Sequence, residues 1–289
     1  MGLRLATAAV VAAASLTLTG AETTRTLKIE LAADVRGAFA VENLAGVMRV
    51  TIGTSDRVVA TATVHAEDAD AAAGVQFLQV AGDDGTPTLR VRYPLSDYGT
   101  IRYPGRRSDD SVSFLSGLFG GSNTTTKYDG HKAMVSSTSG TLLYADVEVQ
   151  LPGRDLEATF RNLVGKLEGT GVQGKLLFDA SSGDIVLDGV RGSIRADTGS
   201  GDVKATGAGG SLTCDTGSGD CTTPPSTATL SRATSAPATS RSAAPGRSAS
   251  RPTPARGTCR WRRPTRPSWW PTAAPGTSTS RRAARVSRA

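Results

Sequence analysis

The sequence predicts an all-β fold: a parallel β-solenoid, or β-helix, with coils of about 18 residues, preceded by less regular strands and followed by a disordered C-terminal tail. Three observations lead there. Glycine recurs in fixed columns when the chain from Gly165 is written in rows of 18, apolar and polar residues alternate between those glycines, and both patterns end at Asp220.

The first segment, residues 1–21, reads as a secretory signal peptide. Arg4 precedes an apolar, Ala-rich stretch from Leu5 to Leu18, and the small residues Thr19, Gly20 and Ala21 follow. That order of charge, short apolar run and small residues marks a cleavable leader rather than a membrane span; a short buried helix is the alternative. Leu18-Thr19-Gly20 resembles a lipoprotein signal, but Ala21 stands where the lipidated cysteine would be. The expectation is an exported protein, periplasmic, at the cell surface or extracellular, with no transmembrane anchor after cleavage.

Residues 22–96 form an N-terminal β region, in which Met48-Arg49-Val50-Thr51-Ile52, Val58 to Val64 and Leu89-Arg90-Val91-Arg92 alternate with the period of two that marks a strand. Residues 97–140 lack periodicity and are rich in Ser, Gly, Thr and charge, which predicts a long loop or insertion. Its apolar piece Phe114 to Phe119 either folds back onto the sheet or docks on a partner.

Residues 141–221 hold the repeat. The rows read GKLEGTGVQGKLLFDASS, GDIVLDGVRGSIRADTGS and GDVKATGAGGSLTCDTGS, then GDC. Leu167, Ile185 and Val203 share one column, Leu176, Ile194 and Leu212 another, and Phe178, Ala196 and Cys214 a third. Each row supplies two short strands that cannot bury their apolar faces alone; stacked about 4.8 Å apart, the rows bury them together. Glycine every few residues excludes helix, and an antiparallel meander or sandwich is the competing architecture.

The repeated Ser-Gly-Asp-Ile/Val signature resembles the bacterial putative-adhesin family of β-strand repeats, domains of unknown function. So do Asp146-Val147-Glu148-Val149-Gln150-Leu151-Pro152 and the opening Gly37-Ala38-Phe39-Ala40-Val41-Glu42-Asn43 through Gly46-Val47-Met48-Arg49-Val50. The resemblance covers roughly residues 28–221, strongly over the repeats, and implies fold and export rather than a particular activity.

Residues 222–289 differ in kind. All 26 acidic residues lie at or before Asp220, while 13 arginines and no acid follow, so the net +7 divides into −6 up to Asp220 and +13 beyond. Charge confined to a tail of Arg, Ser, Thr, Pro and Ala does not make an ordered nucleic-acid surface, and nucleic acid is not an expected partner. A basic tail for anionic surfaces, anchored by Trp261, Trp269 and Trp270, is one reading. The favoured one is out-of-frame translation: with GC-rich codons, reading one base earlier turns Pro237-Ala238-Thr239-Ser240, Arg256-Gly257-Thr258-Cys259 and Pro275-Gly276-Thr277-Ser278 each into Gly-Asp-Val. These fall at positions 238, 257 and 276, 19 apart and beginning 19 after Gly219.

Motifs with chemical associations give no catalytic or cofactor-binding candidate. Asp197-Thr198-Gly199-Ser200 and Asp215-Thr216-Gly217-Ser218 match the aspartic-protease loop, yet sit in consecutive rows instead of facing lobes. Gly169 to Lys175 matches a phosphate loop but is followed by Leu176 where Ser or Thr must hold Mg²⁺. His65 and His131 are far apart and attach to no nucleophile. Two aspartate ladders, Asp184, Asp202, Asp220 and Asp179, Asp197, Asp215, are weak Ca²⁺ candidates, because like charges stacked about 5 Å apart repel; solvated turn carboxylates are the default and no metal is assigned. Cys214, Cys221 and Cys259 show no paired or metal-ligand spacing, which argues against a disulfide framework, and Cys214 reads as a small core residue. The function expected is a non-catalytic envelope or exported scaffold that binds an unknown surface or protein partner. A structural scaffold without a ligand, or a carbohydrate-active enzyme on a β-helix, are the alternatives.

Overall fold

The computed structural model describes residues 15–19, 22–31, 38–82, 85–104, 123–223 and 229–234. Among these, strand dominates, as alternation between glycine corners dictates. The first part of the chain forms β1 (Ser15–Thr19), β2 (Glu22–Leu31), β3 (Phe39–Ala45), β4 (Met48–Ile52) and β5 (Val58–Ala66). A single helical turn and a half, α1 (Ala69–Gly74), follows, capped by Asp68, whose carboxylate accepts the Ala71 N–H at 2.7 Å. Next come β6 (Gln76–Ala81), β7 (Pro87–Arg92), β8 (Thr100–Arg102), β9 (Asn123–Tyr128), β10 (His131–Ser136) and β11 (Thr141–Leu151). The rows then run in strand pairs: β12 (Leu156–Val164) with β13 (Leu167–Thr170), β14 (Gln173–Ser182) with β15 (Ile185–Asp188), β16 (Arg191–Ser200) with β17 (Val203–Thr206), β18 (Gly209–Ser218) with β19 (Cys221–Thr222), and finally β20 (Thr229–Thr234).

Long and short strands of each row go to different sheets. One sheet has the order β1-β2-β5-β11-β4-β13-β15-β17-β19, the other β20-β18-β16-β14-β12-β3-β7-β6. Within the repeat every pairing is parallel and offset by 18: Leu167 opposes Ile185, Ile185 opposes Val203, and Phe178 opposes Ala196, which opposes Cys214. Ile185 and Val203 are both fully buried. The columns predicted from the sequence are thus the register observed. Apolar columns of the two sheets form one core, in which Phe160 and Phe178 lie with ring centroids 5.4 Å apart.

Glycine does two different jobs here. At Gly201, φ is +154° and an added Cβ would stand 2.2 Å from the Gly183 carbonyl oxygen, so the corner needs glycine for both conformation and space. At Gly169 the backbone is ordinary strand, but a Cβ would come 2.7 Å from Phe178 Cζ; the missing side chain is the room the ring occupies.

The stack starts earlier than the regular spacing reveals. β3 and β4 form a row of their own below β12 and β13, with Val41 opposite Phe160 and Met48 opposite Leu167, 119 residues on. Asn43-Leu44-Ala45-Gly46 and Asn162-Leu163-Val164-Gly165 are the matching stretches. β11 is not part of a row: it lies parallel to β4 and antiparallel to β5, so the 18-residue rows begin at Leu156 rather than at 141.

Three expectations need correction. The segment 97–140 contains three strands, with Ile101, Tyr103, Tyr128, Ala133 and Val135 buried. Thr, Ser and Lys on the other faces hide this sparse alternation, although threonine suits a pleated surface. Cys214 and Cys221 are joined in a disulfide, Cα–Cα 6.6 Å, because inward columns of opposing sheets bring them together despite an unremarkable spacing. The segment 222–289, expected to be a disordered tail, adds a strand: the backbone of β20 continues beside β18 with Ser211 opposite Thr229, while Cys221, the last residue of the expected repeat, opposes Val203. Residues 15–19, within the segment read as a leader, pair antiparallel with β2, a pairing that does not bear on cleavage. The remainder of the leader, Phe114 to Phe119 and the tail from 235 lie outside the described residues. No helix among the described residues is long and apolar enough to cross a membrane.

Candidate binding surface

Stacking in register converts each outward position into a straight column. The longest charged one crosses the second sheet from β7 to β18 through Arg90, Glu42, Arg161, Asp179, Asp197 and Asp215, each opposite the next. Signs alternate over its first four members. Arg90 Nε donates to Glu42 Oε2 at 2.8 Å, Arg161 Nη1 to Glu42 Oε1 at 2.9 Å, and Arg161 Nε to Asp179 Oδ2 at 2.9 Å. Burial alone would pull the Arg161 guanidinium down, but the hydrogen bond and charge of Asp179, with Glu42 behind, hold it above its ordinary value. Arg90 behaves alike: burial is outweighed by its bonds to Glu42 and Asp129, and its guanidinium sits over the Tyr128 ring at 5.8 Å.

The like-charged end is handled by a neighbour. Arg195, two residues along the strand and so on the same face, reaches Asp197 at 3.0 Å and Asp215 at 4.0 Å. The ladder Asp179, Asp197, Asp215 therefore takes its positive charge from Arg161 and Arg195. The other ladder is satisfied by backbone: Asp184 Oδ1 accepts the Asp202 N–H at 2.9 Å, and Asp202 Oδ1 the Asp220 N–H at 2.8 Å. Burial raises the Asp184 carboxyl above its ordinary value, the Asp202 N–H works against that, and the Asp202 charge adds to it. No cluster of three His, Cys, Asp or Glu placed to hold a metal occurs among the described residues.

The protease-like and phosphate-loop matches dissolve into the same stacking. Asp197 and Asp215 lie side by side on one face, while Thr198 and Thr216 are buried and donate to the Gly183 and Gly201 carbonyls at 2.9 and 3.1 Å. Lys175 is an exposed partner of Glu157 at 2.6 Å, and Leu176 is core.

Sequence reasoning missed one polar centre. His65 is nearly buried, stacked on Tyr144 with centroids 4.6 Å apart, its Nδ1 2.6 Å from Glu22 Oε1 and its Nε2 3.7 Å from Asp146 Oδ2. Asp146 Oδ1 meanwhile accepts the Val47 N–H at 3.0 Å. The three residues come from β2, β5 and β11, and only cross-strand register, with Thr24 and Tyr144 opposite His65, could have united them. His131, by contrast, is exposed on β10.

No family model and no curated protein matches this chain. Among solved structures, a putative cell adhesion protein from Clostridium sporogenes aligns over 67% of this chain and 72% of its own, at 8% identity and TM-score 0.31. Putative adhesins from Parabacteroides distasonis (76% of this chain, 94% of that one, 8% identity, TM-score 0.19) and Parabacteroides merdae (73%, 93%, 11%, 0.19) also align. Scores at this level establish neither a shared fold nor a shared role.

Proposed function

We propose that the chain is an exported, non-catalytic β-solenoid scaffold that binds a surface or protein partner through the outward columns of its rows. One observation carries this reading: the repeated carboxylates are engaged in bonds to Arg161, Arg195 and row-to-row backbone N–H groups, so the described outward columns of the rows are straight ladders of satisfied charge. Recognition by such a face is distributed over many weak, regularly spaced contacts. The resemblance of the Ser-Gly-Asp-Val rows to adhesin repeats points the same way. Export follows from the leader-like residues 1–21; cleavage there would leave Glu22, the partner of His65, at or next to the new N-terminus.

Labelled full-length protein should attach saturably to cells, glycans or an envelope fraction, and Arg161→Ala with Arg195→Ala should weaken attachment. Absence of saturable attachment to any of them would favour a purely structural scaffold. Polysaccharide cleavage that disappears in His65→Gln would replace both readings with an enzyme built on the Glu22, His65, Asp146 centre.

A further inference from the structure

β6 ends the second sheet at the side opposite β20. Among the described residues it pairs with β7 alone, in a register that runs without a bulge from Gln76 opposite Arg92 to Ala81 opposite Pro87, and Gln76, Gln79 and Ala81 are exposed. Strands in such a place ordinarily carry a lysine, a proline or a bulge that discourages further pairing. Gln76-Phe77-Leu78-Gln79-Val80-Ala81 has neither charge nor proline.

We propose that β6 is a self-pairing edge: two copies of the chain join antiparallel through it about a two-fold axis at Gln79, making one continuous sheet from two.

Hydrogen-bond parity selects that axis. The Gly82 N–H donates to the Thr86 carbonyl at 2.8 Å, so these two residues form a bonded pair at the turn end of the β6 and β7 ladder. Bonded and non-bonded pairs alternate along an antiparallel ladder. The register therefore bonds Val80 to Thr88, Leu78 to Arg90 and Gln76 to Arg92. Phe77, Gln79 and Ala81 turn their backbone N–H and C=O groups the other way, toward the open edge. An axis at Gln79 uses all three, because Gln79 then meets its own copy while Phe77 and Ala81 meet each other on either side of it.

The side chains agree with the backbone. Opposed residues of an antiparallel pair share a face. Phe77 packs against the core on the side of the buried Leu89 and Val91, whereas Leu78 and Val80 lie on the outer side with Arg90 and Thr88. Across the axis the large Phe77 faces the small Ala81, Leu78 faces Val80, and the two Gln79 amides, each donor and acceptor, lie side by side. The inner row runs from Val91 and Phe77 into Ala81 and Pro87 of the second copy. The outer row runs from Arg90 and Leu78 into Val80 and Thr88, so no like charges meet. This match of large to small and apolar to apolar commits the edge to the same strand rather than to an unrelated one.

About six backbone bonds along a strip one strand wide fall short of the ~800 Å² per partner of a stable interface, so the dimer is weak, with a Kd on the order of 100 µM. Pairing carries the charged columns of two copies onto one sheet and multiplies the contacts open to a bound partner, but the dimer does not depend on there being one.

Sedimentation velocity of the full chain tests this between about 10 µM and 1 mM, with Cys259→Ser to preclude a disulfide between copies. The sedimentation coefficient should climb toward that of a dimer across the range. Gln79→Lys sets two ammonium groups face to face at the axis and should weaken dimerisation at least tenfold, and Gln79→Glu should do the same with carboxylates. Because Gln79 is exposed, both variants should keep the monomer's Tm. An equimolar mixture of the two sets ammonium against carboxylate and should restore the dimer. A chain that stays monomeric at every concentration overturns the proposal. So does a dimer that Gln79→Lys leaves intact, or a mixture that dimerises no better than either variant alone.

Discussion

The contact between Phe178 and Gly169 offers a direct measure of whether the two sheets share one interior. Phe178 is fully buried, and the space above Gly169 is filled by its ring edge. Truncation in Phe178→Ala should cost about 3–5 kcal/mol, the lost transfer energy plus the cavity left behind. Gly169→Ala adds one methyl 2.7 Å from Phe178 Cζ and 3.0 Å from Leu187 Cδ2, so overpacking of about 1–3 kcal/mol competes with a gain of about 0.5–1 kcal/mol from stiffening the unfolded chain. In the double variant the new methyl enters the vacated volume, and the combined cost should fall below the sum of the singles by about 1–2 kcal/mol. Urea denaturation of all four proteins measures this, with equal slopes confirming that the same unit unfolds. Additivity within about 0.5 kcal/mol would mean that the ring and the glycine do not touch, and the shared core would be refuted.

Other perturbations separate the remaining forces. Gly201→Ala, blocked by the Gly183 carbonyl, should abolish the last rows, whereas Gly171→Ala, at φ +67° in open space, should cost only the left-handed penalty of about 1–2 kcal/mol; equal thermal shifts would contradict the close approach. Burial raises Asp184 in the folded state, so stability is highest below its unfolded pKa and is lost as pH rises through the folded one. Asp184→Asn keeps an acceptor for Asp202 and should therefore stabilise by no more than about 1 kcal/mol at neutral pH and flatten that slope, as read from melts between pH 3 and 7. Reducing Cys214–Cys221, which closes a loop with a separation of 7, should lower stability by about 2–3 kcal/mol, visible as a drop in Tm with reductant that a Cys221→Ser variant no longer shows.

Periodicity made the rows legible because stacking forces equal environments on equal columns: Leu167, Ile185 and Val203 had to be apolar, and Gly183 and Gly201 had to lack a side chain. The row made by β3 and β4 escaped because one copy 119 residues away has no period, and only the shared Asn-Leu-x-Gly stretch betrays it. The aspartate ladders were placed correctly in sequence, but their neutralisation was not visible, since it depends on Arg195 leaning toward the row above and on backbone N–H groups that carry no residue signature. The His65 centre depends on antiparallel register among β2, β5 and β11, which side-chain order alone does not encode.

The separation between β3 and β12 also orders events in time. From Leu156 onward each strand finds its neighbour within 18 residues, a short loop to close, whereas Val41 waits for Phe160. A ribosome delivers the opening row long before its seat exists. The opening row therefore completes its pairing late: β3 can meet β7 first, but its place in the stack closes only once β12 has been made.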